Sequence, residues 1–139
     1  MLNKEIRIVV ASVKGFTDAE RLKMTIDEFL DDIYYLNEGI GEDDEELITD
    51  AKIVFITNGE HRTAAELLRT ALGDRDIDIE EIRVDWSKGK KAFYDNCAVL
   101  GAKSTHGIIF TDHKDEGMQT LLKACLDAGS RVRSYSSAI

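Results

Sequence analysis

Proline is absent from this chain of 139 residues. Without it no rigid Pro-rich spacer divides the chain, and the length fits one domain. Cysteine occurs twice, as Cys97 and Cys125, too few for a disulfide framework or a Cys-based metal site. No apolar run approaches the ~18 residues of a membrane span. Met1 to Arg7 has no signal-peptide architecture. Cations are scarce, with 18 Lys plus Arg against 27 Asp plus Glu and a net charge of -9. No basic tract exists, which argues against general nucleic-acid binding, where phosphate neutralisation dominates affinity. Neither a Gly-x-Gly-x-x-Gly fingerprint nor a Walker sequence occurs. These absences predict a soluble cytoplasmic protein with reduced thiols. Its apolar fraction of 43% is enough for a sizeable core.

Hydrophobic patterning alternates strand and helix. Glu5 to Val13 is a β-branched run typical of a buried strand. Leu22, Ile26, Phe29, Leu30, Ile33 and Leu36 stripe one face of a helix over 17–36, opened by a Thr17–Glu20 capping box. Lys52 to Thr57 reads as a second buried strand. A second capping box, Thr63–Glu66, opens a helix to Leu72, with Gly73 as its stop. Asp78 to Asp85 reads as a third strand, and Lys91 to Leu100 as a helix ending at Gly101. His106 to Thr111 is a fourth strand. Met118, Leu121, Leu122 and Cys125 stripe a helix ending at Gly129, and Arg131 to Tyr135 is a last strand. This order predicts an α/β, Rossmann-like three-layer domain over 1–139 with a mainly parallel five-stranded sheet.

One segment breaks the pattern. Residues 38–50 hold seven acidic side chains and no basic one. They read as a solvated acidic loop inserted into the domain, without the spacing of a calcium-binding loop. Most of the net negative charge therefore belongs to this insertion. In an open parallel sheet, ligands bind beyond the C-terminal ends of the strands. Four loops qualify: Ser12-Val13-Lys14-Gly15-Phe16, Asn58-Gly59-Glu60-His61-Arg62, Asp85-Trp86-Ser87-Lys88-Gly89-Lys90-Lys91 and Asp112-His113-Lys114-Asp115-Glu116-Gly117. Each contains Gly and leads into a helix, whose free amides attract anions. Lys14, Arg62, Lys88, Lys90, Lys91 and Lys114 lie at the same end. An acidic chain thus gathers cations where a phosphorylated ligand docks.

Together these loops, with Phe16-Thr17-Asp18 and Asp95-Asn96, resemble the SLOG superfamily, in particular its YspA-like branch of small single-domain proteins. The most specific piece is Asp85 to Lys91 followed by Asn96 on the next helix. The resemblance spans nearly the whole chain in order. It implies a Rossmann-like fold, related to the LOG phosphoribohydrolases and DprA proteins, and binding of nucleotides or ADP-ribose-like signals. The chain departs from the family at Ser12-Val13-Lys14, which replaces Gly-Ser-Arg, and at Glu60, Thr63 and Ala65. The LOG-type phosphate loop is reduced to Asp112 through Met118, with Gly117 alone matching, and Leu121 falls near the catalytic Glu position.

Candidate ligand-binding residues are therefore Ser12, Val13, Lys14, Asn58, Gly59, His61, Arg62, Asp85, Trp86, Lys88, Lys91, Asn96, Asp112, Glu116 and Gly117. Arg62 carries a planar fork suited to a phosphate, although an ion pair with Glu66 competes for it. Trp86 can stack on a base, and Asn96 or Asp85 can bond a ribose. His61 and His113 are the general acid–base candidates, but catalytic residues stay unassigned. Cys97 and Cys125 read as small hydrophobes. The ligand set lacks metal-site spacing, so no metal and no cofactor are expected. The leading expectation is a sensor or sequestering sponge for a nucleotide-derived signal, suited to viral counter-defence and assembled as a homodimer or larger. The alternatives are a nucleotide-processing hydrolase using Glu60, His61 or Glu116, and a DprA-like single-strand DNA binder, which the charge disfavours.

Overall fold

The computed structural model describes residues 5–13, 15–36, 52–58, 62–75, 77–112 and 114–136, with backbone alone at 34–36 and 62–64. The acidic insertion at 38–50 lies outside the described residues. Strand β1 (Glu5–Ser12) is followed by α1 (Ala19–Leu36), β2 (Lys52–Thr57), α2 (Arg62–Leu72) and β3 (Asp78–Glu81). Then come α3 (Lys91–Lys103), β4 (His106–Thr111), α4 (Glu116–Asp127) and β5 (Arg131–Ser136). The five strands form one all-parallel sheet in the order β3-β2-β1-β4-β5. Helices α1 and α2 pack together, as do α3 and α4, which gives the expected α/β three-layer architecture.

The sheet interior follows from its composition. Strands covered on both faces must be apolar throughout. Ile8, Val9, Phe55, Ile56, Ile108, Ile109 and Phe110 are fully buried. From α1, Leu22, Ile26, Phe29, Leu30 and Ile33 close one face, and Met118, Leu121 and Cys125 of α4 belong to the same core. Arg133 of β5 ties the sheet edge to α1, with an ion pair of 2.7 Å to Asp32 and its guanidinium 5.0 Å from the Phe29 ring centre.

Helix boundaries differ from the sequence expectation in three places. Helix α1 is capped by Asp18, whose carboxylate accepts from the Arg21 amide at 3.0 Å, one residue beyond Thr17. Helix α2 begins at Arg62, so Thr63 lies inside the helix and cannot be its N-cap. Gly101 does not end α3, which runs to Lys103. The glycine serves packing: a Cβ there would lie 2.7 Å from the Ala124 carbonyl oxygen of α4. Gly73, with φ of +60°, does stop α2, its amide donating to the Arg69 carbonyl at 3.1 Å. Strand β3 is also shorter than expected, four residues against the eight of Asp78–Asp85. Its ladder ends because the Ile82 carbonyl accepts the Asn96 side-chain amide at 2.8 Å.

Gly101→Ala tests the α3–α4 contact. In a helix interior this change normally gains about 1 kcal/mol. Here backbone overlap decides the sign, and we expect a loss of about 1–3 kcal/mol in urea unfolding. An unchanged or raised midpoint would contradict the contact.

Candidate functional site

The sheet order reverses between β1 and β4, so the crevice at their C-terminal ends is the natural ligand position. Among the described residues an aromatic stack stands at it. The Val13 amide donates to the Phe110 carbonyl at 3.0 Å, and the Phe16 amide donates to Val13 at 3.2 Å. Gly15 makes the turn between them at φ +101°, a conformation that L side chains rarely adopt. Phe16 then lies on Phe110 with ring centres 4.4 Å apart and planes 16° from parallel. Tyr135 stacks on Phe110 at 5.2 Å, and the Arg21 guanidinium covers Phe110 at 5.0 Å. Beside it Phe16, Phe110, Leu22 and Leu67 line a void of about 10 Å³, no larger than one water. Ser12 and Val13 are buried. Lys14 lies outside the described residues.

The loop after β4 is organised by its own carboxylates. Asp112 accepts from the amides of Lys114 at 2.8 Å and Asp115 at 3.0 Å. Asp115 caps α4 by accepting from the Met118 amide at 3.0 Å. The Lys114, Asp115 and Met118 amides are thus already bonded here. Glu116 is exposed at the first helical position. Gly117 has a packing partner: a Cβ there would lie 3.1 Å from the Phe93 ring. His113 lies outside the described residues. After β2, Asn58 is half-buried, while Gly59, Glu60 and His61 are outside the described residues. Arg62 begins α2, and its side chain is likewise outside them.

The connection from β3 to α3 has a different character. Asp85 caps a single 3-10 turn, Trp86–Lys88, accepting from the Ser87 amide at 3.2 Å and from its hydroxyl. Gly89 follows at φ +80°. Lys90 is the N-cap of α3 and makes no side-chain capping bond, unlike Asp18 and Asp115 at α1 and α4. Lys88, Lys90 and Lys91 are all exposed. None has a carboxylate within ion-pair distance among the described residues. Arg7, Lys52, Arg69, Arg75, Arg83, Lys103 and Arg133 are paired with acids, while Lys23, Lys114, Lys123 and Arg131, like the three lysines, make no ion pair among the described residues. Trp86 is 52% exposed and stacks on Phe93 at 6.4 Å, with planes 12° apart.

Asn96 lies one helical turn further along α3. Its side chain is only 6% exposed. The Nδ2 group donates to Ile82, but the Oδ1 atom has no partner among the described residues. An unsatisfied buried acceptor costs about 1–3 kcal/mol, and it invites a donor from a water or a ligand. Trp86, Lys88, Lys91 and Asn96 therefore share one connection and the first turns of one helix. Ser12 and Val13, at the switch point, are buried. Sequence reasoning missed Phe93 and Tyr94. The signal was available in the Phe-Tyr pair seven and eight residues after Trp86, which returns to the same end of the sheet.

The reactive groups are quiet. Burial pushes the Cys97 thiol up to about 11, with the Cys125 thiol adding to it. Burial also raises Cys125. The Ser87 hydroxyl holds the Asp85 carboxyl below its ordinary value, and the Lys114 amide does so for Asp112. Among the described residues no three His, Cys, Asp or Glu side chains converge as a metal site requires, and no helix is long and apolar enough to cross a membrane. The chain matches no protein-family model, no curated protein and no solved structure.

The Asp112 turn predicts a pH response. Its folded carboxyl titrates below the ordinary 3.8, so its stabilisation is complete above that value and is lost as pH falls through the folded one. Carboxyl and amide NMR should give one midpoint below 3.8 for Asp112 and for the Lys114 and Asp115 amides. A midpoint at or above the ordinary value would show that the turn does not hold the carboxylate.

Proposed function

We propose that this chain binds a compact nucleotide-derived anion, such as an ADP-ribose-like or cyclic-nucleotide signal, and holds it without cleaving it. The observation that carries this reading is the β3–α3 connection. Three exposed lysines, Lys88, Lys90 and Lys91, make no ion pair among the described residues, although the Asp85 carboxylate acts on Lys88 at longer range, and they adjoin an α3 N-terminus that has no side-chain cap. Phosphate oxygens satisfy both kinds of group at once. Trp86 beside them offers a ring to a base, and the Asn96 oxygen an acceptor to a hydroxyl or amide. The resemblance to SLOG proteins points to the same ligand class, and we propose kinship with them.

A carboxylate with a depressed pKa is a weak base, and a buried thiol with a raised one is a weak nucleophile. Asp85, Asp112, Cys97 and Cys125 fall in these classes, while the acid–base candidates Glu60, His61 and His113 lie outside the described residues. A protein of this kind acts in the cytoplasm as a sensor or as a sponge, and sequestration of a host immune signal would suit a viral counter-defence role.

The test is recovery of the bound molecule. The purified chain is incubated with ADP-ribose, washed, denatured and assayed by mass spectrometry. We expect intact ADP-ribose from the wild type. The double variant Lys88→Glu/Lys91→Glu should bind about thirtyfold more weakly or worse, from roughly 1 kcal/mol or more per lost charge-assisted contact. Recovery of a cleaved product would overturn holding in favour of hydrolysis. Unchanged affinity in the double variant would overturn the site.

A further inference from the structure

We infer that the ligand carries two stackable rings joined through phosphate, a dinucleotide, with one ring on Trp86 and the other on Tyr94. This rests on the function proposed above and narrows its ligand class. Tyr94 is 55% exposed. It stands on the first turns of α3, beside the three lysines. Trp86 and Tyr94 are the two aromatic side chains among the large exposed hydrophobic residues described. The fold makes no comparable use of the Tyr94 ring, because its neighbour Phe93 does the packing.

Phe93 organises the pair. Its ring lies against Gly117 of α4, where any Cβ would come within 3.1 Å of it. Trp86 stacks on it nearly parallel at 6.4 Å. Tyr94 meets it edge-on at 6.1 Å, with planes 81° apart. The two outer rings are thus fixed relative to one buttress and lie within about 13 Å of each other. That span is within reach of two nucleosides joined by a pyrophosphate. Their differing orientations suit two independent bases better than one extended ring system. Base–aromatic stacking tolerates any base, since each has a π-face. Lys88, Lys90 and Lys91 lie between Trp86 and Tyr94 in sequence and supply charge for the bridging phosphates. Three lysines in a chain of net charge -9 match a small anion. They are too few for a long strand, whose binding needs many neutralised phosphates.

Calorimetry on the full chain separates the possibilities, with diadenosine diphosphate as the two-ring probe and ADP-ribose as the one-ring probe. The wild type should bind the two-ring probe more tightly. Tyr94→Ala should weaken that probe about tenfold and leave ADP-ribose unchanged, and Tyr94→Phe should restore it. Tyr94 is exposed, so circular dichroism should match the wild type in both variants. The inference is overturned by equal affinity for the two probes, by a Tyr94→Ala effect on both alike, or by tighter binding of an oligothymidylate than of either. If ADP-ribose binds and the second ring adds nothing, this inference alone fails. If neither probe binds, the proposed function fails with it.

Discussion

Strand β4 is buried along its whole length and pairs with β1 on one side and β5 on the other. That placement makes β1 and β4 neighbours although most of the chain separates them, and it sets the topological reversal of the sheet. Phe110 at the end of β4 is the anchor. It accepts the Val13 amide on its carbonyl and takes Phe16 and Tyr135 on its ring. The described part of the usual ligand crevice thereby carries an aromatic stack. The connection between β3 and α3 lies one loop outward at the same end of the sheet.

The electrostatic pattern follows the same division. Seven described cations of this acidic protein sit against carboxylates, where exposed pairs contribute little stability. At α1 and α4 the helix amides are capped by Asp18 and Asp115. At α3 the N-cap is a lysine without a side-chain capping bond, two more lysines lie beside it, and a buried amide oxygen lacks a partner among the described residues. Natural chains break local rules of this kind chiefly where function demands it. Close packing sustains the exception. Gly101 lets α3 lie directly on α4, and Gly117 receives Phe93, which in turn supports Trp86.

The architecture was legible because its signals are local and repeated. Ile-Val runs in β1, β2 and β4, the apolar stripe of α1 and the glycine after α2 all read correctly from periodicity and turn chemistry. Gly101 misled because a helix-stop glycine and a helix-packing glycine look alike in sequence. They differ only in what lies opposite, here the Ala124 carbonyl. Thr17 misled because Asp18 beside it is an equally good cap. The site was legible in part. Its four loops could be named, but three-dimensional packing decides which are open. Nothing in Ser12-Val13 announces that both will be buried, and nothing in Asp112 and Asp115 announces that they bond the nearby amides. Tyr94 escaped notice because an aromatic on a helix reads as core until its exposure is seen.

The proposed function puts the nucleotide-derived ligand on one stretch of chain, from Asp85 to Asn96. Amide chemical-shift mapping during titration with ADP-ribose tests this directly. The largest shifts should fall on Trp86 to Asn96, including the Asn96 side-chain amide and the Trp86 indole N–H, with the Phe16–Phe110 stack undisturbed. Shifts concentrated at Val13 to Phe16 and Thr111 to Gly117 instead would place the ligand in the switch-point crevice and contradict this account.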